Sequence, residues 1–188
     1  VNETYVAAKG IAHAAELLTK KYSFVITNVP YLTRGKQNEN LASFCESYYN
    51  DAKHDLANVF LQRCIHFTKD DGVVQIVMPQ NWLSQQRYKN QRITLLKRIK
   101  WLFLVRLGEK GFDSPQAAGA FVILYTIQKS HPDKNAVLRG IDVGECNGPE
   151  AKSMKLLTSS IVESNQIKQN ENPDSIIKLE SIKASKVL

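Results

Sequence analysis

Tyr22-Ser23-Phe24-Val25-Ile26-Thr27-Asn28-Val29-Pro30-Tyr31-Leu32 is a hydrophobic run that stops in a polar and aromatic turn. Phe24, Val25, Ile26 and Thr27 are aromatic or β-branched, the side chains of a buried strand. Pro30 has no amide hydrogen for a ladder and pushes its predecessor toward extended geometry, so the strand ends at Asn28-Val29-Pro30-Tyr31. In an open α/β sheet, ligands gather outside the carboxyl ends of the strands, where side chains and backbone groups are freed from the ladder. The turn is therefore a candidate site. Asn28 offers a side-chain carbonyl, Val29 a backbone carbonyl, Pro30 a fixed φ, and Tyr31 a flat ring with a polar tip. Two acceptors beside a stacking plate suit a planar ring carrying an exocyclic amine. Acceptors on both N–H bonds of such an amine favour the pyramidal form whose lone pair can attack, so positioning takes the place of a strong base.

Working outward, the spacing predicts alternating helices and strands. Leu56, Val59, Phe60, Cys64 and Phe67 fall on one stripe of a helix over residues 55–67, with Asp55 as its N-cap. Asp70-Asp71-Gly72 reads as a turn, and residues 73–78 as a strand buried on both faces and ended by Pro79. Asn81, Trp82 and Ser84 then lie at a second carboxyl-end edge, where Trp82 either walls a base pocket or anchors the next helix in the core. Residues 83–98 predict a basic helix whose Arg87, Lys89, Arg92, Lys97 and Arg98 face solvent, with phosphate contact as the second reading. Residues 100–107 and 120–128 predict two further strands. The stretch joining them is too short for a crossover helix, so they should pair antiparallel. Upstream, Ile11, Ala14, Ala15, Leu17 and Leu18 recur at helical spacing, with Lys20 and Lys21 at the end where cations suit the helix dipole. Residues 32–52 have two readings. They form a lid in which Arg34 and Lys36 meet phosphates and Tyr48 or Tyr49 packs on a nucleotide, or they hold a short helix that the tyrosines cover.

At 188 residues and 43% hydrophobic content, the chain is long enough for a domain with a real core. Its formal charge of +7 favours an acidic partner, and nucleic acid is the obvious one. Cys45, Cys64 and Cys146 are far apart, odd in number and without C-x-x-C spacing, which argues against a disulfide framework and a zinc site and suits a reducing cytoplasm. His54 and His66 lack partners at metal spacing. No run approaches the roughly 18 apolar residues of a membrane span.

With these elements placed, Asn28-Val29-Pro30-Tyr31 resembles the Asn/Asp-Pro-Pro-Tyr/Phe motif of amino-methyltransferases that use S-adenosylmethionine. Lys53-His54-Asp55-Leu56, the strand ending at Pro79, Gln80-Asn81-Trp82-Leu83, Leu107-Gly108, Phe112 and Ala120-Phe121-Val122-Ile123 extend the likeness. Together, residues 20–130 resemble the catalytic half of the N6-adenine DNA methyltransferases of type IIG restriction-modification and BREX phage-exclusion systems. The resemblance implies an α/β fold, the C-terminal half of a Rossmann-like class I methyltransferase sheet, with parallel strands plus a final antiparallel strand. It implies Asn28, Val29, Pro30 and Tyr31 as catalytic, and Asn28, Pro30 and Asp55 beside the S-adenosylmethionine methyl donor. Arg34, Lys36, Lys53, Trp82 and Phe112 are the candidates for contact with DNA. Val29 stands where the family usually has proline, and it retains the backbone carbonyl. The Asn-X-Pro-Tyr form also resembles ribosomal RNA adenine dimethyltransferases, so RNA remains an alternative substrate.

Residues 1–135 are expected to be the catalytic half of the methyltransferase domain. No glycine-rich strand-to-helix turn precedes the first strand, nor does an acid placed to hold a ribose. The half that grips S-adenosylmethionine is therefore expected outside this chain, as is the target-recognition region, and the chain alone is expected to be inactive. Residues 136–188, rich in Ser, Lys, Asn and Gln, are expected to be a linker or the start of a following domain, with one short strand over 137–143. The open edge of the first strand supports a non-catalytic alternative, a module that pairs with itself or with the missing half.

Overall fold

The computed structural model describes residues 3–111 and 119–179. In chain order the elements are α1 (Glu3–Thr19), β1 (Tyr22–Asn28), α2 (Glu39–Tyr48), α3 (Leu56–Phe67), β2 (Thr68–Pro79), α4 (Lys89–Arg98), β3 (Lys100–Gly108), β4 (Val122–Gln128), β5 (Val137–Asp142), α5 (Gly148–Thr158) and β6 (Val162–Asn165). The strands form one six-stranded sheet in the order β1-β2-β4-β3-β5-β6.

β1 and β2 are parallel, as are β3 and β5. β4 runs antiparallel to both β2 and β3. β1, β2, β3 and β5 therefore all point the same way, and their carboxyl ends at Asn28, Pro79, Gly108 and Asp142 share one edge. β4 begins at that edge, with Gln80 N–H donating to Phe121 O at 2.8 Å. The expected antiparallel pairing of β3 with β4 is present. The reversed strand does not end the sheet, however; it is inserted between β2 and β3, and β5 and β6 lie beyond.

One face of the sheet carries the main core. Val74, Ile76 and Met78 alternate along β2 with no exposed surface and meet Ala57, Leu61 and Cys64 from α3. Deeper along the sheet, Trp82, Trp101 and Tyr125 form an aromatic cluster, with ring centroids 4.7 Å apart for Trp101 and Tyr125 and 5.7 Å for Trp82 and Trp101. On the opposite face, Val105, Leu107, Ile141 and Val143 pack with Leu156 of α5. That cover reaches β3, β5 and Leu124 of β4. Phe24 and Ile26, on the same face of β1, are 56% and 68% exposed. α1 has no buried residue at all, and its Tyr5, Val6, Ile11 and Leu18 lie open. The expected stripe on α1 is present in sequence, but none of it is buried among the described residues. Its end is fixed instead by polar bonds: the Tyr22 hydroxyl donates to Leu17 O at 2.7 Å and Arg63 to Leu18 O at 3.3 Å.

The chain after residue 135 departs from the expected linker. β5 is hydrogen-bonded to β3 and β6 to β5, so the sheet continues without a break. Gln166, just past β6, is fully buried. Its amide donates to Leu96 O at 2.8 Å and Ile99 O at 2.7 Å, and accepts from Trp101 N–H at 2.8 Å. It thereby satisfies carbonyls at the C-terminus of α4 that the helix itself leaves open. The polar composition that reads as a linker is partly a set of buried capping groups.

Three local expectations also change. The turn at Asp70-Asp71-Gly72 sits inside β2 as an irregularity, where the register with β1 jumps between Tyr22 and Phe24 and Asp71 takes φ 61°. Of the two readings of residues 32–52, the short helix is present as α2, capped by the Asn38 side chain accepting from Leu41 N–H at 2.9 Å. The basic helix begins only at Lys89, after short 3-10 turns at Asn81–Leu83 and Gln86–Tyr88.

Candidate active site

The turn after β1 is held by both of its neighbours. Val29 N–H donates to Val77 O at 3.4 Å, carrying the ladder one residue past the strand. The Val29 side chain is 4% exposed and belongs to the main core, so an apolar residue is required there and valine supplies it. Asn28 and Pro30 stay exposed on either side. Beyond Tyr31 the chain lies against the start of α3: Leu56 N–H donates to Leu32 O at 2.9 Å, Arg34 N–H donates to His54 O at 3.0 Å, and Thr33 bridges Asp55. This short pairing is what places Tyr31 beside Asp55.

Asp55 is 4% exposed and its Oδ1 accepts from Ala57 N–H at 2.9 Å, so it caps α3. Burial, and secondarily the Asp55 carboxylate, raises the Tyr31 phenol above its ordinary value. The ring therefore presents a neutral hydroxyl at physiological pH. Burial first, then Arg87, Lys53 and Arg34, lowers the His54 imidazole, which stays neutral in a cationic neighbourhood.

Tyr31 and Asp55 line a cavity of about 680 Å³ at the carboxyl edge of the sheet, together with Pro79, Gln80, Asn81 and Ser84. That size lies within the roughly 300–1,000 Å³ of small-molecule pockets. Arg106 from the end of β3 and Asp142 from the end of β5 also line it, paired at 2.8 Å. Residues 176–179 line it as well. Neither contribution was among the sequence candidates. Arg106 carries a signal, a cation two residues before the glycine that ends a strand, but pairing β3 with β5 was needed to bring Asp142 to it. Residues 176–179 carry none.

The structure distributes the remaining candidates differently. Trp82 is fully buried in the aromatic cluster, 5.6 Å from the Tyr125 ring, and has no surface to offer a base; of its two readings, the core anchor is the correct one. Arg34 and Lys53 both bond Glu46 of α2, at 2.8 and 2.7 Å, and neither lines the cavity. Lys36 is exposed in the 3-10 turn Arg34–Lys36. Phe112 lies outside the described residues. The expected solvent-facing role of Arg92 is overturned: it has no exposed surface. Its guanidinium is enclosed because it serves backbone carbonyls on two segments that pack against α4, Trp82 O and Gln85 O on one side and Asp174 O and Ser175 O on the other.

A protein-family model described as Eco57I restriction-modification methylase matches residues 3–112, which include the strand, the turn, α3 and the cavity floor at Pro79 and Gln80. The chain belongs to this family. Two curated relatives agree with the assignment. The adenine-specific methyltransferase PglX of Lacticaseibacillus casei (strain Zhang) is 26% identical over 123 residues, covering 64% of this chain. The adenine-specific methyltransferase BrxX of Escherichia coli O9:H4 (strain HS) is 26% identical over 117 residues, covering 62%. The chain spans 10% of the length of each of these relatives. Among solved structures, the DrdV–DNA complex superposes with a TM-score of 0.60 over 82% of this chain and 18% of that one, at 15% identity, a likeness of fold. The architecture of this Eco57I-family chain is therefore that of the methyltransferases of restriction-modification systems, with the Asn-Val-Pro-Tyr turn at the carboxyl edge of its sheet.

Proposed function

We propose that this protein takes part in transferring a methyl group from S-adenosylmethionine to the N6 amine of adenine in DNA, within a restriction-modification or phage-defence enzyme. The observation that carries the reading is the Asn28-Val29-Pro30-Tyr31 turn opening beside a cavity that Tyr31 itself lines. The names of both curated relatives, adenine-specific methyltransferases, favour adenine as the substrate base.

In this reading the side-chain oxygen of Asn28 and the backbone carbonyl of Val29 accept the two N–H bonds of the target amine. Pro30 fixes the turn and Tyr31 stacks on a base flipped out of the duplex. The neutral Tyr31 hydroxyl adds no charge beside the amine. Asn28, Pro30 and Asp55 are the residues that would hold the methyl donor. The buried Asp55 carboxylate suits the positive charge of that donor, and the cavity that Tyr31 lines is left to the target base. Bound S-adenosylmethionine supplies an electrophilic methyl group. The chain's own contribution is orientation and the placement of acceptors where positive charge develops on the amine.

Lys36 is free to meet a phosphate. Arg34 and Lys53 are held by Glu46, but exposed ion pairs are worth only about 0–1 kcal/mol, so exchanging Glu46 for a phosphate costs little.

The uncovered face of β1 and α1 supports a further part of this reading. Burying a side chain such as Phe24 or Ile26 is worth roughly 1.5–3 kcal/mol each, so the face is a strong site for further sequence of the parent protein. The same face favours a second reading, an interaction module that pairs with itself along the β1 edge.

The test is transfer of labelled methyl from S-adenosylmethionine to DNA and to RNA by the complete polypeptide that carries this chain. Label on DNA adenine is the expected outcome. Label on RNA alone moves the substrate to RNA, and no label on either, with folded protein, leaves the interaction module.

A further inference from the structure

Residues 174–179 form a strap across the cavity edge, and its geometry is unusually constrained. Asp174 and Ser175 both take left-handed backbone angles, φ 51° and 53°, which non-glycine residues rarely adopt in succession. What holds them is Arg92. Its Nε donates to Ser175 O at 3.1 Å and its Nη2 to Asp174 O at 2.8 Å, while Nη1 grips Trp82 O at 2.5 Å and Gln85 O at 2.8 Å. A planar fork of five N–H donors spreads over all four of these carbonyls, more than the three donors of one ammonium can serve.

The rest of the strap is tied down as well. Lys89 pairs with the Asp174 carboxylate at 3.0 Å, and Ile177 N–H donates to Leu83 O at 3.0 Å. The Gln169 side chain donates to Lys178 O and accepts from Lys178 N–H, at 3.1 and 2.9 Å. Leu179 lies over Gly140 of β5 so closely that a Cβ there would meet Leu179 Cδ2 at 2.6 Å. The result is a fixed wall: Ile176 and Leu179 line the same cavity as Tyr31 and Pro79.

We propose that residues 174–179 are the specificity wall of the nucleobase pocket and that Arg92 is its positioning residue, holding Ile176 and Leu179 against the target adenine. The inference rests on the functional reading above and deepens it by naming a wall of the pocket drawn from the chain beyond residue 135. Arg92 touches neither base nor methyl donor. It acts through the strap.

The test uses the complete polypeptide with Ile176→Ala, Arg92→Lys and Arg92→Gln. Ile176 is half-buried, so Ile176→Ala keeps the fold, and thermal denaturation checks this for each variant. The first readout needs no methyl transfer: equilibrium dialysis of labelled adenosine, with S-adenosylhomocysteine saturating the cofactor site. Wild type binds adenosine, and Ile176→Ala and Arg92→Gln weaken it about tenfold, the scale of lost apolar contacts in a pocket. Arg92→Lys falls between wild type and Arg92→Gln. The second readout is steady-state methylation, in which the folded variants raise KM for DNA more than they lower kcat. Equal adenosine binding by wild type and both weakened variants overturns the wall, as does absence of adenosine binding by wild type. Failure of the wild type to methylate DNA overturns the functional reading instead, and the dialysis result stands apart from it.

Discussion

Asn28→Ala separates chemistry from folding in this protein. The Asn28 side chain is exposed at the end of β1 and makes no hydrogen bond within the described residues. Its neighbour Val29 carries the packing, at 4% exposure. Removing the Asn28 amide should therefore leave stability within about 0.5 kcal/mol of wild type, the range for surface substitutions away from special features. Catalysis should respond differently. In the proposed complex, Asn28 supplies one of two acceptors to an amine that gains positive charge as it is methylated. A hydrogen bond to a charged group is worth about 1.5–3 kcal/mol. At about 1.36 kcal/mol per tenfold in rate, that is a loss of roughly 10- to 150-fold in kcat. Asn28→Asp keeps an acceptor oxygen and should lose less. The assay is labelled-methyl transfer to DNA under saturating substrate, alongside urea denaturation of the same preparations. Less than about a threefold loss in kcat for a folded Asn28→Ala would refute the acceptor role, since the expected range starts at tenfold. A loss of stability above about 2 kcal/mol would refute the claim that Asn28 is free of structural duty.

Gln166→Leu removes the bonds to Leu96 O, Ile99 O and Trp101 N–H and should cost about 3 kcal/mol, at about 1 kcal/mol net per bond, read as a lower urea midpoint with unchanged m-value. A near-neutral result would mean that the chain beyond residue 135 does not support the sheet. His54 has a folded pKa below its ordinary value of 6.5, so the unfolded chain binds more protons as pH falls through that value and stability drops on acidification. His54→Asn should flatten that loss in urea midpoints collected between roughly pH 8 and 5, and an unchanged slope would exclude His54 as its source. Burial pushes the Cys64 thiol up to about 11, so native protein should alkylate there slowly and unfolded protein fast, as peptide mapping after iodoacetamide would reveal.

The parts of the site that were legible in sequence are local. A run of β-branched and aromatic residues stopped by Pro30 fixes where β1 ends, and the side chains at that end declare their chemistry without knowledge of any neighbour. Connection length likewise determined that β3 and β4 pair antiparallel. Capping by Asp55 was readable because cap and helix are adjacent in the chain. The C-terminal segment misled because Gln166, Gln169 and Asn172 are polar, and composition does not distinguish polar groups that are solvated from those buried on backbone partners.

What the sequence by itself determined is the strand, the turn that ends it, and the helix that Asp55 caps, because these depend on torsional preferences and on groups a few residues apart. Tertiary structure alone decided that β4 inserts between β2 and β3, that Trp82 belongs to the core, and that Arg92 is buried on carbonyls as far as 83 residues away in the chain. The physical reason is that a guanidinium's solvation is set by what folds over it. In α4 the same basic residue reads as a solvated face until the strap supplies the carbonyls that replace water.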